Sequence, residues 1–152
     1  MTSISVKNLL RAGFVALALS GLGACASGPT YDALHASEPP VAADSARIYF
    51  YRAAEMAGSA VQPSVKINGE TVGDAVPGGY FYVDRPAGTY EISTSTEVKE
   101  AISVTVKPGE TRYVKFTISM GLFVGHVSPQ LIWPEQAVAE LAACHYTGDA
   151  KK

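Results

Sequence analysis

The chain has 152 residues, 47% of them apolar and 17% charged, with a formal net charge of −2. That is one domain in size, with apolar content enough for a real core. Its 12 Lys and Arg are scattered among 14 Asp and Glu, so the clustered basic surface that a phosphate backbone requires is missing and nucleic acid is excluded as an expected partner.

Residues 1–24 have the three parts of an export signal in order. Lys7 and Arg11 supply positive charge, residues 12–24 ("AGFVALALSGLGA") supply an apolar run, and small residues precede Cys25. The run has 13 residues, whereas a membrane-spanning helix needs about 20. "LGAC" (Leu22, Gly23, Ala24, Cys25) resembles a bacterial lipobox, in which the cysteine sulfur receives a diacylglyceryl group and becomes residue one of the mature chain. A thiolate is nucleophilic enough to form that thioether, and two or more acyl chains anchor firmly where one does not. Ala26 stands where a lipoprotein retained in the inner membrane of many Gram-negative bacteria carries Asp, so the resemblance implies an outer-membrane lipid anchor facing the periplasm. Loss of Lys7 and Arg11 leaves 12 − 2 basic against 14 acidic residues, a mature charge of −4. With Cys25 acylated, Cys144 has no partner, and no disulfide framework is available.

Residues 25–44 are rich in Ala, Ser and Pro without a sustained period and predict a flexible tether, ahead of a domain over 45–147 and a tail at 148–152. "ARIYFYR" alternates, placing Ile48 and Phe50 on one face of a half-buried strand and Arg47, Tyr49 and Tyr51 on the other. "VKINGETVG" holds Asn68-Gly69 between two short strands, a pair suited to a two-residue hairpin. Further strands are predicted over 80–83, 89–95, 102–106 and 111–119, with turns at 77–79 and 85–88 and a type II turn at Pro108-Gly109. "WPEQAVAELAACHY" predicts one helix, with Pro134 at its first position, Glu135 in its first turn, and Ala137, Val138, Leu141 and Ala142 at apolar helical spacing. Strands this closely spaced with no helices between them predict an all-β fold, an antiparallel β-sandwich of about seven strands with one C-terminal helix.

The succession "RIYFYR", "VKINGETVG", "GGYFYVDRPAGTYEIS", "ISVTVKPGETRYVKF" and "AVAELAAC" resembles the bacterial lipoprotein family known as domain of unknown function 2846, over roughly residues 46–144. The middle is also similar to PEGA-type β-domains, through its Val-x-Ile-Asn-Gly strand pair and its "PAGTY" turn. These motifs are turn chemistry, so the resemblance implies a fold and brings no catalytic residues.

The residues themselves supply little chemistry. His35, His126 and His145 lack a converging second ligand, apart from Cys144 beside His145, and neighbours on a helix diverge, so no metal site is expected. No Gly-x-Ser-x-Gly elbow and no phosphate or dinucleotide loop occurs, so no cofactor is expected either. Glu91, Glu97 and Glu100 read as a solvated strand-end face, and Cys144 as a small buried apolar residue. Two features suit binding. Tyr49 with Tyr51, and Tyr80 with Tyr82, share strand faces and form a candidate aromatic platform for a protein or glycan partner. Leu122 and Phe123, between Gly121 and Gly125, form a candidate apolar loop tip. The expected function is a non-catalytic binding or accessory module held to the lipid bilayer through Cys25; an envelope enzyme and a purely structural lipoprotein are the alternatives.

Overall fold

The computed structural model describes residues 26–55, 58–95, 100–120 and 125–148. They form α1 (Tyr31–His35), β1 (Ser45–Tyr51), β2 (Ser64–Ile67), β3 (Glu70–Asp74), β4 (Gly79–Pro86), β5 (Gly88–Thr94), β6 (Ala101–Val106), β7 (Thr111–Met120), β8 (Gly125–Ile132), α2 (Pro134–Leu141) and β9 (His145–Tyr146). One sheet has the order β8-β7-β1-β4-β9 and the other β3-β2-β5-β6. The fold is all-β as expected, with nine strands where about seven were predicted.

Pairing is not uniformly antiparallel. β1 runs parallel to β7, from Arg47↔Thr111 to Tyr51↔Lys115, and β4 runs parallel to β9. For β1 and β7 the cause is that two tight turns change sheet instead of closing a hairpin, and β9 reaches β4 only after the chain has passed through α2. Only Ala87 separates β4 from β5, and residues 107–110 separate β6 from β7, yet each connection joins strands of different sheets. The second of these is the expected type II turn: Glu110 N–H donates to the Lys107 carbonyl at 3.0 Å, and Gly109 has φ +74°. Asn68 and Gly69 have φ of +49° and +86°, the two positive values of a type I′ turn, and they close the β2–β3 hairpin.

Alternation along β1 feeds two separate cores. Ile48 and Phe50 face the second sheet and pack with Val65, Ile92, Val104 and Phe116. Arg47, Tyr49 and Tyr51, on the other face, are equally buried. The strand is therefore covered on both sides, not half-buried, because α1 and α2 lie over the outer face of the five-stranded sheet and enclose Tyr31, Tyr49, Tyr51, Tyr80, Tyr113, Ala137, Leu141 and Cys144. In α2, Pro134 starts the helix and Glu135 occupies its first turn as expected, but only Ala137 and Leu141 face inward; Val138 is 41% exposed.

The segment predicted as a tether departs most from expectation. The His145 ring Nδ1 lies 2.7 Å from the Gly28 carbonyl, Tyr146 N–H donates to the Pro29 carbonyl at 2.8 Å, and Tyr31 N–H donates to the Cys144 carbonyl at 3.2 Å. A Cβ on residue 28 would stand 1.9 Å from the Tyr146 carbonyl oxygen, so glycine is required for this approach. Tyr31 is 3% exposed and belongs to the second core. Gly28 and the residues after it are thus part of the folded domain, which the sequence reading started at residue 45. Cys25 lies outside the described residues.

Candidate functional site

The structure removes the proposed tyrosine platform. The β1–β4 register, Tyr49↔Tyr82 and Tyr51↔Tyr80, sets these four rings side by side. Tyr49, Tyr51 and Tyr80 are nevertheless only 0–1% exposed, and Tyr82 is half-buried with the Arg47 guanidinium 4.2 Å from its ring centre. Tyr49 stacks on Tyr113 at 5.3 Å, and Tyr31 meets Tyr49 and Tyr80 edge-on at 5.8 and 5.6 Å. These are packing contacts of an interior. Leu122 and Phe123 lie outside the described residues, between the end of β7 and the start of β8.

Beside the rings a polar clamp fastens the N-terminal segment. Glu38 Oε2 accepts hydrogen bonds from Arg47 Nη1 at 3.1 Å and from the Tyr49 hydroxyl, and lies 3.0 Å from His35 Nδ1. Arg47 holds Asp84 bidentately, Nε and Nη2 each at 2.8 Å, while Nη2 also donates to the Pro39 carbonyl at 2.9 Å. The bond to Asp84, opposed by burial, keeps the Arg47 guanidinium charged beyond its usual range. Burial first, and Glu38 second, raise the Tyr49 hydroxyl well above an ordinary phenol, and burial raises Tyr31, Tyr51, Tyr80 and Tyr113 likewise. Glu38 Oε1 and the Tyr80 hydroxyl are buried without a hydrogen-bond partner among the described residues. The cluster's chemistry is that of a fastening, since its charged groups are spent on one another.

The remaining candidates do not gather into a site. Burial pushes the Cys144 thiol up to about 11, and its Sγ lies 3.6 Å from the Glu140 carbonyl oxygen, as befits a packed thiol that is no nucleophile at neutral pH. The His145 ring is engaged with the Gly28 carbonyl, and His126 lies on β8 opposite Ser119 of β7. Glu91 and Glu100 are exposed. Among the described residues, no three His, Cys, Asp or Glu side chains converge to hold a metal ion.

An accessible apolar surface lies elsewhere, at the outer strand β8. Arg112 and Leu131 share the sheet face of Val114 and Phe116, yet Leu131 is 47% exposed where its partner Val114 is fully buried. A cavity of about 160 Å³ opens here between residues 111–113 of β7 and residues 131–134, where β8 passes into α2. Trp133, 76% exposed, stands on its rim. Arg112 Nη2 pairs with Glu110 Oε1 at 2.8 Å, and Arg112 Nε is buried without a hydrogen-bond partner among the described residues. Sequence reasoning read Trp133 only as the residue before a helix. The one signal was an isolated tryptophan in a polar helix start, where no packing neighbour was in view.

A family model described as "Protein of unknown function (DUF2846)" matches residues 42–127, more than half of the chain. No curated protein and no solved structure matches it.

Proposed function

The chain belongs to the DUF2846 family of proteins of unknown function, and from that premise and its surface we propose a lipid-anchored envelope protein that acts by binding another protein through the groove at residues 131–134. The acylated Cys25 holds it to the outer membrane on the periplasmic side, and no turnover is involved. The observation that carries this reading is the groove. At about 160 Å³ it is well below the ~300–1,000 Å³ of sites that enclose a cofactor or drug-sized ligand, but it accommodates one apolar side chain of a partner. Trp133 on its rim is the kind of rigid aromatic anchor that concentrates interface energy. The Glu38 carboxylate and the Cys144 thiol support a non-catalytic role, because both are closed off from solvent.

The test is photo-crosslinking in cells from a probe at Gln130, which is exposed beside the groove, followed by the same capture with Trp133→Asp. A discrete adduct that weakens at least about 30-fold, the equivalent of a ~2 kcal/mol anchor, is expected, with the unfolding midpoint unchanged. An undiminished adduct in the Asp variant would refute the groove as the contact.

A further inference from the structure

We propose that the bilayer carrying the Cys25 anchor is apposed to the domain's β9 edge, so that this edge faces the phospholipid headgroups and the groove is presented from the opposite corner. The inference rests on the reading of Cys25 as the acylated residue.

The argument begins with chain length. Three residue steps separate Cys25 from Gly28, and they span at most about 11 Å. A free tether over residues 25–44 would have reached ~25 Å on average and several times that when extended. Gly28, Pro29, Thr30 and Tyr31 are instead fixed by contacts to the His145 ring and to the backbone of Cys144, His145 and Tyr146, and Gly28 cannot be replaced without a clash. The backbone of the acylated residue therefore lies within about 11 Å of Gly28 at the β9 edge.

Its chemistry suits headgroups and not the hydrocarbon. Ser27, Pro29, Ala143 and Thr147 are exposed around this edge. The exposed large apolar side chains among the described residues are Leu131 on β8, Trp133 between β8 and α2, and Val138 on α2. β8 lies four strand spacings from β9, roughly 19 Å, and the groove is also at the far end of the strands, since Thr111 aligns with Arg47 near the start of β1 whereas β9 aligns with Gly79 and Tyr80 opposite its end. The two sites are thus diagonal across the sheet, roughly 20–25 Å apart.

The test uses the full-length lipidated protein in phosphatidylethanolamine–phosphatidylglycerol vesicles containing a nickel-chelating lipid. Spin labels are placed singly at Ala143→Cys and Gln130→Cys, both exposed positions, in a Cys144→Ala background. Gln130 lies on β8, four strand spacings or roughly 19 Å across the sheet from β9, so the label at 143 should relax at least about tenfold faster than the label at 130. Insertion of ten Gly/Ser residues after Ser27 should erase that ratio while the protein still floats with the vesicles. Mass spectrometry of the N-terminal peptide separates the two claims. Equal relaxation in a protein acylated on Cys25 overturns the apposition alone; an unacylated Cys25 overturns the anchor and the apposition with it.

Discussion

Tyr31→Ala isolates the docking of the N-terminal segment from the fold of the sandwich. The ring is 3% exposed, stacks on His35 at 4.7 Å and meets Tyr49 and Tyr80 edge-on. Truncating a buried aromatic costs about 3–5 kcal/mol when the site cannot collapse. A chain segment that can detach sets a ceiling on that cost, because once docking is lost no further penalty accrues. For a unit of this size ~3 kcal/mol corresponds to roughly 10 °C in unfolding midpoint. The core built from Ile48, Phe50, Ile92 and Phe116 contains no N-terminal residue, so a cooperative transition and strand-rich circular dichroism should remain. Hydrogen exchange and limited proteolysis read the local event. The Tyr31 amide, bonded to the Cys144 carbonyl, and the Tyr146 amide, bonded to the Pro29 carbonyl, should lose protection together, and cleavage within residues 28–40 should accelerate. An unchanged midpoint with undiminished protection would refute the docked segment and the short membrane spacer that follows from it.

Gly69→Val should destabilise the domain by about 1 kcal/mol or more through backbone strain alone, since φ is +86° and no atom lies within 4 Å of a new Cβ; an unaltered chemical-denaturation midpoint would contradict the hairpin geometry. Burial works upward on the Glu140 carboxyl, but hydrogen bonds from Lys115, Gln136 and Tyr51 outweigh it and hold the group below its ordinary value. Its stabilisation is therefore complete above the ordinary carboxylate pKa and is lost as pH falls through the lowered one, and Lys115→Met should flatten the fall in stability below about pH 4.3. With its thiol buried and pushed up to about 11, Cys144 should resist a disulfide reagent at pH 8 in the folded protein and react once denatured; rapid native labelling would show that α2 does not cover it.

The turns were the legible part of the fold, because their chemistry is local. Asn68 and Gly69 require positive φ, as does Gly109 after Pro108, and all three have it. Which strands those turns join is not local. Ala87 and residues 107–110 look like hairpin connections in sequence, but whether a tight turn folds a strand back on its neighbour or passes it to the facing sheet depends on packing across the core. The tyrosine face shows the same limit. Alternation in "RIYFYR" separates two faces without saying what covers the second, and a tyrosine fits a wet rim and a packed interior equally well. What decides is Tyr31, 18 residues before Tyr49 in a Pro- and Ala-rich stretch, together with Glu38 beneath Arg47. The groove was missed because Leu131 and Trp133 acquire their exposure from the end of a sheet, which has no signature in a single strand.

The family match covers residues 42–127, which includes β1, β4 and β7 with Tyr49, Tyr51, Tyr80 and Tyr113 but excludes α1, α2 and β9. The matched span thus carries the tyrosine face without its cover, and buried rings at such density need one, since their hydroxyls and apolar edges together would otherwise form a large sticky surface. In this chain the cover comes from both flanks at once, and the flanks depend on each other. β9 has two residues, held by Gly79 and Tyr80 on one side and by Gly28, Pro29 and Thr30 on the other. Leu131, Trp133 and Pro134 of the groove also fall outside the matched span, in the stretch that leads into α2. Closing the tyrosine face, shortening the link to Cys25 and shaping the groove are therefore linked consequences of how the two ends of the chain fold onto a shared β-scaffold.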